Sequence, residues 1–356
     1  MKALVFGGAG FIGSNLSKTL LNEGYEVRVF DSLARPGSEC NLAWLRQCDP
    51  EGRLEFIHAD VRDFTAGRGA VEGVDEIFHL AAQVAVTTSV SDPRTDFEIN
   101  AFGTLNVLEA ARLSRRRLPI VFTSTNKVYG GLEDLQTTET RTRYEFRDLK
   151  LGVPESRPVD FHSPYGCSKG AADQYVRDYN RIYNLPTVVF RMSCIYGPRQ
   201  FGNEDQGWLA HFMIAAANGR PITIYGNGKQ LRDVLFVDDL VRAFRLAVDN
   251  IATTSGQIYN IGGGPANTLA VWTEFSDILS EVSGQPVAAA FEDWRPGDQP
   301  CYVSDIRKAR EQLGWWPEVK QRTGVGRLWD WVNANIGLFR GLAELEQAQE
   351  QEGAIA

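Results

Sequence analysis

The chain has 356 residues, of which 43% are hydrophobic and 23% charged, with a net charge of -8. That acidic balance argues against nucleic acid as the main partner, because a phosphate-binding surface needs excess lysine and arginine. Five scattered cysteines without a Cys-x-x-Cys pair suggest reduced thiols in the cytoplasm. Four histidines without ligand spacing argue against a metal site, and neither a signal peptide nor an apolar run long enough to span a bilayer is evident.

Residues 3–6 are a short apolar run that reads as a buried parallel strand. Gly7, Gly10 and Gly13 follow at Gly-x-x-Gly-x-x-Gly spacing, with Phe11 and Ile12 between the last two, and helical patterning continues to residue 22. A turn without side chains lets backbone N–H groups and a helix N-terminus approach a diphosphate, and its last glycine permits close helix packing. A second strand, 26–30, ends in Asp31, near the place where an acid binds the adenosine ribose. A carboxylate there favours two free hydroxyls and repels a 2′-phosphate, so NAD is expected rather than NADP; the alternative for Asp31 is a strand-end turn former.

Residues 54–58 look like a third strand, with Asp60 and Val61 just beyond it in reach of an adenine. A fourth strand, 75–80, ends in Leu80 and the small Ala81 and Ala82, which leave room for a cofactor crossing the sheet edge. A long amphipathic helix over 92–114 carries Asn100. The fifth strand, 120–123, runs into Ser124, Thr125, Asn126 and Lys127, at the kind of strand end where open α/β sheets bind ligands. Residues 131–160 are polar and poorly patterned, and read as an active-site flap or loop.

Tyr165 stands four residues before Lys169, so in a helix running to about residue 183 the two share a face. A phenol beside an ammonium has its ionised form favoured, and could move a proton to and from an alcohol; a surface tyrosine and lysine at helical spacing are also common. A sixth strand follows at 187–190. Alternating strands and helices over 1–191 predict a doubly wound parallel sheet. Beyond it we expect a loop at 202–207, a helix at 208–218, a strand at 222–225, a loop at 226–233, a strand at 234–236, and helices at about 237–249, 269–283, 304–313 and 323–335. The expected division is an α/β NAD-binding domain over 1–191 with about 231–261, a smaller mixed α/β substrate lobe over 192–230 and 262–340, and a Glu- and Gln-rich tail over 341–356.

With the glycine turn, Thr125, Tyr165 and Lys169 in order, the chain resembles the extended short-chain dehydrogenase/reductases, NAD-dependent enzymes with a Rossmann-like sheet that act mostly on nucleotide sugars. The segments Gln83–Ser89, Asp96–Asn100, Ser124–Gly130, Phe161–Tyr175, Arg199–Phe201, Asp205–Trp208 and Gly226–Asp233 resemble the CDP-paratose 2-epimerase (CDP-tyvelose epimerase) family more closely. That likeness implies a cytoplasmic isomerase that inverts C2 of a CDP-sugar, of CDP-paratose, CDP-tyvelose or CDP-glucose type, through a 2-keto intermediate with NAD kept bound. Tyr165 would take the C2 hydroxyl proton, Lys169 would hold the nicotinamide ribose, and Thr125, with Ser124 as fallback, would bond the reacting oxygen. Arg232 and Arg295 are the implied diphosphate anchors, and Asp298 the nucleotide-ribose partner. Ser89, His162, Gln206 and Trp208 are sugar or nucleotide neighbours; His162 could equally start the helix.

Asn126 and Lys127 stand where the related sugar 4,6-dehydratases carry an Asp-Glu pair, which speaks against elimination of water; Lys127 could also be a solvated turn lysine. Cys194 departs from the asparagine of many relatives, and a thiol makes weaker hydrogen bonds than an amide. The catalytic residues alone leave a UDP-sugar 4-epimerase open, and a non-catalytic NAD-binding regulator is the remaining reading. The helices holding Asn100 and Tyr165 resemble the pair that builds a four-helix homodimer contact in this superfamily, with a homotetramer as the alternative.

Overall fold

The computed structural model describes residues 1–295 and 298–341; from residue 342 onward the expected tail lies outside them. The strands, in chain order, are β1 (Lys2–Phe6), β2 (Glu26–Asp31), β3 (Leu54–His58), β4 (Glu76–His79), β5 (Ile120–Thr125), β6 (Thr137–Glu139), β7 (Tyr144–Phe146), β8 (Thr187–Met192), β9 (Cys194–Tyr196), β10 (Thr223–Tyr225), β11 (Leu231–Phe236), β12 (Ile258–Ile261), β13 (Thr268–Ala270), β14 (Ala290–Glu292) and β15 (Cys301–Tyr302). Seven of them form one sheet in the order β12-β8-β5-β4-β1-β2-β3, and every pairing in it is parallel. The chain leaves β1 in opposite directions toward β2 and β4, so the sheet has a switch point between β1 and β4, where such folds open a crevice.

Helices cover both faces, which is why the inner strands are apolar on both sides rather than alternating. Ala3 and Val5 of β1 pack into one cluster with Leu16, Leu20, Phe78 and Phe190. Leu4 and Phe6 turn the other way, toward Phe30, Val107, Phe122 and Val176. Fully burying one such side chain contributes about 1.5–3 kcal/mol.

After β8 the chain leaves the large sheet within one residue. β9 pairs with β11, which also holds β13 antiparallel and β15 parallel, while β10 and β14 form a separate pair. The Val237–Asp249 helix then returns, stacking Phe244 on Phe190 at 5.5 Å between ring centroids, and β12 closes the edge of the large sheet against β8.

Three local expectations change. Residues 269–283 are not one helix: Leu269 and Ala270 are buried in β13, paired with Arg232 and Leu231, and the helix starts only at Phe275. Arg232 lies inside β11 rather than in a loop. The polar stretch after Gly130 is a β6–β7 hairpin with its own core, because Leu132, Phe146 and Val153 pack with Leu231 and Tyr302. The helices Ser38–Gln47, Phe64–Ala70 and Val86–Ser91 had no clear periodicity to announce them. The long helix expected over 92–114 is present but changes pitch: Pro93–Phe97 is α, Glu98–Phe102 a π turn, and Gly103–Leu113 α again. Such π turns are frequent at functional sites. Among the described residues no helix is long and apolar enough to cross a membrane.

Candidate active site

The glycine turn sits at the switch point. Gly7 adopts φ +78°, donates to the Phe30 carbonyl at 2.8 Å, and a Cβ on it would meet the Ala81 nitrogen at 2.6 Å. A Cβ on Gly13 would lie 2.1 Å from the Gly7 carbonyl oxygen. Only glycine fits there. The Phe11–Asn22 helix begins at this turn with no side-chain cap on its N-terminus, and Gly10 N–H is spent on the Gly7 carbonyl. The turn therefore aims free backbone N–H groups at the cleft, as a diphosphate requires.

Gly7, Gly10, Phe11, Ile12, Gly13, Leu80, Ala82, Ser124, Tyr165 and Lys169 line one cleft, joined from the second half of the chain by Gln206. Asp31 stands behind the turn: its carboxylate accepts from Ala9 N–H and Leu33 N–H, each at 2.9 Å. Burial pushes its pKa up against those bonds. Asp60 is committed elsewhere, accepting both the amide and the guanidinium of Arg62, and Val61 packs on Gly103. Neither is among the cleft walls.

The Ser163–Tyr183 helix delivers Tyr165 and Lys169 to the floor of the cleft, 8% and 3% exposed. Tyr165 N–H donates to Ser89 Oγ at 3.1 Å, so Ser89, fully buried, anchors the start of this helix rather than facing a sugar. Thr125 presents its hydroxyl beside the Tyr165 phenol. Ser124 points the other way and donates to Asp173 at 2.7 Å, and Arg191 grips the same carboxylate with two bonds of 2.9 Å. Lys169 Nζ lies 4.3 Å above the centre of the Phe122 ring.

The electrostatics correct one expectation. Burial pushes the Tyr165 phenol up to about 12, against the neighbouring Thr125, and pulls Lys169 down to about 7, against Asp173 and Asp96. Burial sets the Tyr165 phenol, and Lys169 is not among the groups that shift it.

Further out, Asn126 and Lys127 form the turn after β5. Burial and Arg232 lower the Lys127 pKa, so it is not a solvated turn lysine. Cys194, whose thiol burial pushes up, faces Lys127 and Arg232. Arg232 donates to Asp298 at 2.7 Å, and the Trp208 indole N–H is turned toward the Cys194 thiol. Arg295 bonds Glu204 at 2.8 Å with its guanidinium 3.9 Å from the Tyr225 ring centre. His162 is half exposed beside Asp160, outside the cleft. Asn100 is fully buried under the site, its amide bonded to Gln83, Asp96 and Ser168.

Sequence reasoning missed Arg35, which lines the cleft and donates to Gln206 at 3.0 Å, as well as Asp173 and Arg191. Arg35 lies in a turn without periodicity, and the other two look in sequence like any helix and strand residue.

A parallel sheet with its switch point at a glycine turn, and a buried tyrosine and lysine one helical turn apart beside a strand-end threonine, define an extended short-chain dehydrogenase/reductase. Comparison with known proteins agrees: the GDP-mannose 4,6 dehydratase family matches residues 4–328, and the chain belongs to that family. A CDP-paratose 2-epimerase of Salmonella typhi is 44% identical, covering 94% of this chain and 100% of its own. The solved dTDP-glucose 4,6-dehydratase of Streptomyces venezuelae, with NAD bound, superposes with a TM-score of 0.82 at 30% identity, covering 96% of this chain and all of its own. UDP-glucuronic acid 4-epimerase from Bacillus cereus, in complex with UDP-glucuronic acid and NAD, gives 0.80 at 28%, covering 94% and 99%.

Proposed function

We propose that this protein is a nucleotide-sugar epimerase that inverts C2 of a CDP-sugar, of CDP-paratose, CDP-tyvelose or CDP-glucose type. NAD is the cofactor, and the glycine turn, the N–H groups it frees and the small Ala82 fit it. When bound, NAD supplies the acceptor and then the donor of the C2 hydride.

The observation that carries the reading is the buried pair of Tyr165 and Lys169 lining that cleft, with the Thr125 hydroxyl bonded beside the phenol. Tyr165, as phenolate, takes the proton of the C2 hydroxyl and later returns it. Thr125 holds the reacting oxygen beside the phenol. Lys169, as a cation, stabilises the phenolate from the same helix face. The flat 2-keto sugar then turns over and is reduced on its other face. Lys127, Arg232 and Arg295 are the cations that could hold a diphosphate once it displaces the carboxylates on the two arginines, with Asp298 at the nucleotide ribose. Asn126 and Lys127 offer no acid/base pair for elimination.

Val90, Phe97, Phe102, Leu113, Ile182 and Tyr183, all on the 86–113 and 163–183 helices, are exposed. They suit a four-helix homodimer contact, and we place the enzyme in the cytoplasm.

The test is to denature the pure protein and assay released NAD, then incubate native protein with CDP- and UDP-sugars in deuterated water and follow products by NMR. The expected result is a C2 epimer of the CDP-sugar without deuterium at C2. A C4 epimer of a UDP-sugar would establish the rival reading, deuterium at the inverted carbon would exclude hydride return, and NAD release without turnover would leave a binding protein.

A further inference from the structure

Asp96 lies in the Pro93–Phe97 helix, just before the π turn, and is 1% exposed. Its carboxylate accepts from Ser168 Oγ, next in sequence to Lys169, and from Asn100 Nδ2 at 3.0 Å. Ser168 in turn donates to the Tyr165 carbonyl at 3.2 Å. Asp96 thus touches the Ser163–Tyr183 helix at the residue before Lys169. Among the described residues it forms no ion pair. This contrasts with Asp173, the other carboxylate near Lys169, whose two oxygens are both bound by Arg191. Burying a carboxylate without a counter-charge is costly, and an asparagine would tether the two helices equally well. Burial raises the Asp96 pKa, and Ser168, Lys169 and Asn100 oppose it in favour of the carboxylate, so a charge held there needs a reason.

We propose that Asp96 is a positioning residue of the Tyr165–Lys169 pair, its unpaired negative charge holding Lys169 in the cationic form that the tyrosine requires. The proposal rests on the reading that Tyr165 and Lys169 carry the proton transfer. The groups facing Lys169 are Asp96 from the Pro93–Phe97 helix, Asp173 from its own helix, His79 from β4 and the Phe122 ring from β5. His79 is kept neutral by burial. Asp173 and, after it, Asp96 both favour the ammonium; Asp173 is also bonded by Arg191, whereas Asp96 has no cation bonded to it among the described residues. The groups facing Tyr165 are Thr125, Asp96 and Arg35. Removing one negative charge favours the deprotonated form of both Tyr165 and Lys169. Their ionisations therefore move in the same direction, toward acid.

The experiment compares wild-type holoenzyme with Asp96→Asn, which removes the charge, and Asp96→Glu, which keeps it. Asp96→Ser is a second neutral variant should Asp96→Asn not fold. Two readouts are taken: the pH profile of CDP-sugar epimerisation, and the tyrosinate absorbance near 295 nm, with Tyr165→Phe subtracted. In the neutral variants we expect both limbs of the rate profile and the Tyr165 titration to slide toward acid by about half to one pH unit. Above neutral pH kcat should fall roughly tenfold with KM unchanged, while Asp96→Glu keeps the wild-type profile. A loss of rate with no shift in the neutral variants, or an equal shift in Asp96→Glu, would reduce Asp96 to a structural tether. If the wild type turns over no nucleotide sugar, the function proposed above fails, and the Tyr165 titration still decides the role of Asp96.

Discussion

The carboxylate of Asp31 accepts the Ala9 amide at 2.9 Å, so the acid that ends β2 and the glycine turn that follows β1 form one hydrogen-bonded unit. Asp31 therefore shapes the glycine turn.

Replacing Asp31 with alanine removes a bond from Ala9 N–H and another from Leu33 N–H. Hydrogen bonds to a charged acceptor are each worth about 1.5–3 kcal/mol. We expect NAD affinity to drop roughly 10- to 100-fold in Asp31→Ala, measured by calorimetry on refolded, NAD-stripped protein. An unchanged affinity would show that the turn holds its shape alone.

Tyr165→Phe removes only the hydroxyl and leaves the ring in its buried seat. We expect turnover to fall by roughly 10²- to 10⁴-fold, the usual contribution of a positioned acid/base group, with the thermal midpoint within a degree or two of wild type. Near-normal turnover would remove Tyr165 from the proton-transfer role.

The parallel sheet was legible because strands β1 to β5 are short apolar runs separated by helical periodicity. The glycine turn announced itself by spacing, and Tyr165 and Lys169 by sharing a helix face. What stayed hidden depends on contacts across long separations. Arg35 meets Gln206 from 171 positions away, and Arg191 meets Asp173 from the neighbouring strand. Ser89 was read as a sugar or nucleotide neighbour, and its bond from the Tyr165 amide was not foreseen. Neighbouring charge was expected to govern the Tyr165 phenol, and burial governs it instead. Local pattern encodes which face a residue takes and says little about what meets it there.

Glu204 holds Arg295 at 2.8 Å, and two residues on Gln206 holds Arg35, so the 202–207 loop occupies two of the arginines facing the cleft region. A diphosphate anchored by Arg295 must displace Glu204. Because the pair is partly exposed, at 31% for Arg295 and 53% for Glu204, solvent weakens the competition. We expect Glu204→Gln to tighten CDP binding about two- to fivefold by calorimetry, with the difference fading at high salt. Weaker binding in Glu204→Gln would mean that Glu204 contributes to the ligand site itself.

His79 ends β4 beneath the cleft, 1% exposed, with Nε2 2.9 Å from Thr104 Oγ1. Burial, reinforced by Lys169, pulls its pKa from 6.5 down to about 3. In the unfolded chain the imidazole takes up its proton near 6.5, so between 6.5 and 3 the unfolded state binds more protons than the folded one. Stability from this group is therefore intact above pH 6.5 and drains away as the pH falls toward 3, at about 1.4 kcal/mol per unit. His79→Gln keeps a polar partner for Thr104 and cannot charge. We expect wild-type unfolding free energy, from urea titrations, to fall between pH 6.5 and 4 by about 3 kcal/mol more than that of His79→Gln. Equal losses in the two proteins would mean that His79 takes up its proton in the folded state, and the neutral imidazole under Lys169 would have to be abandoned.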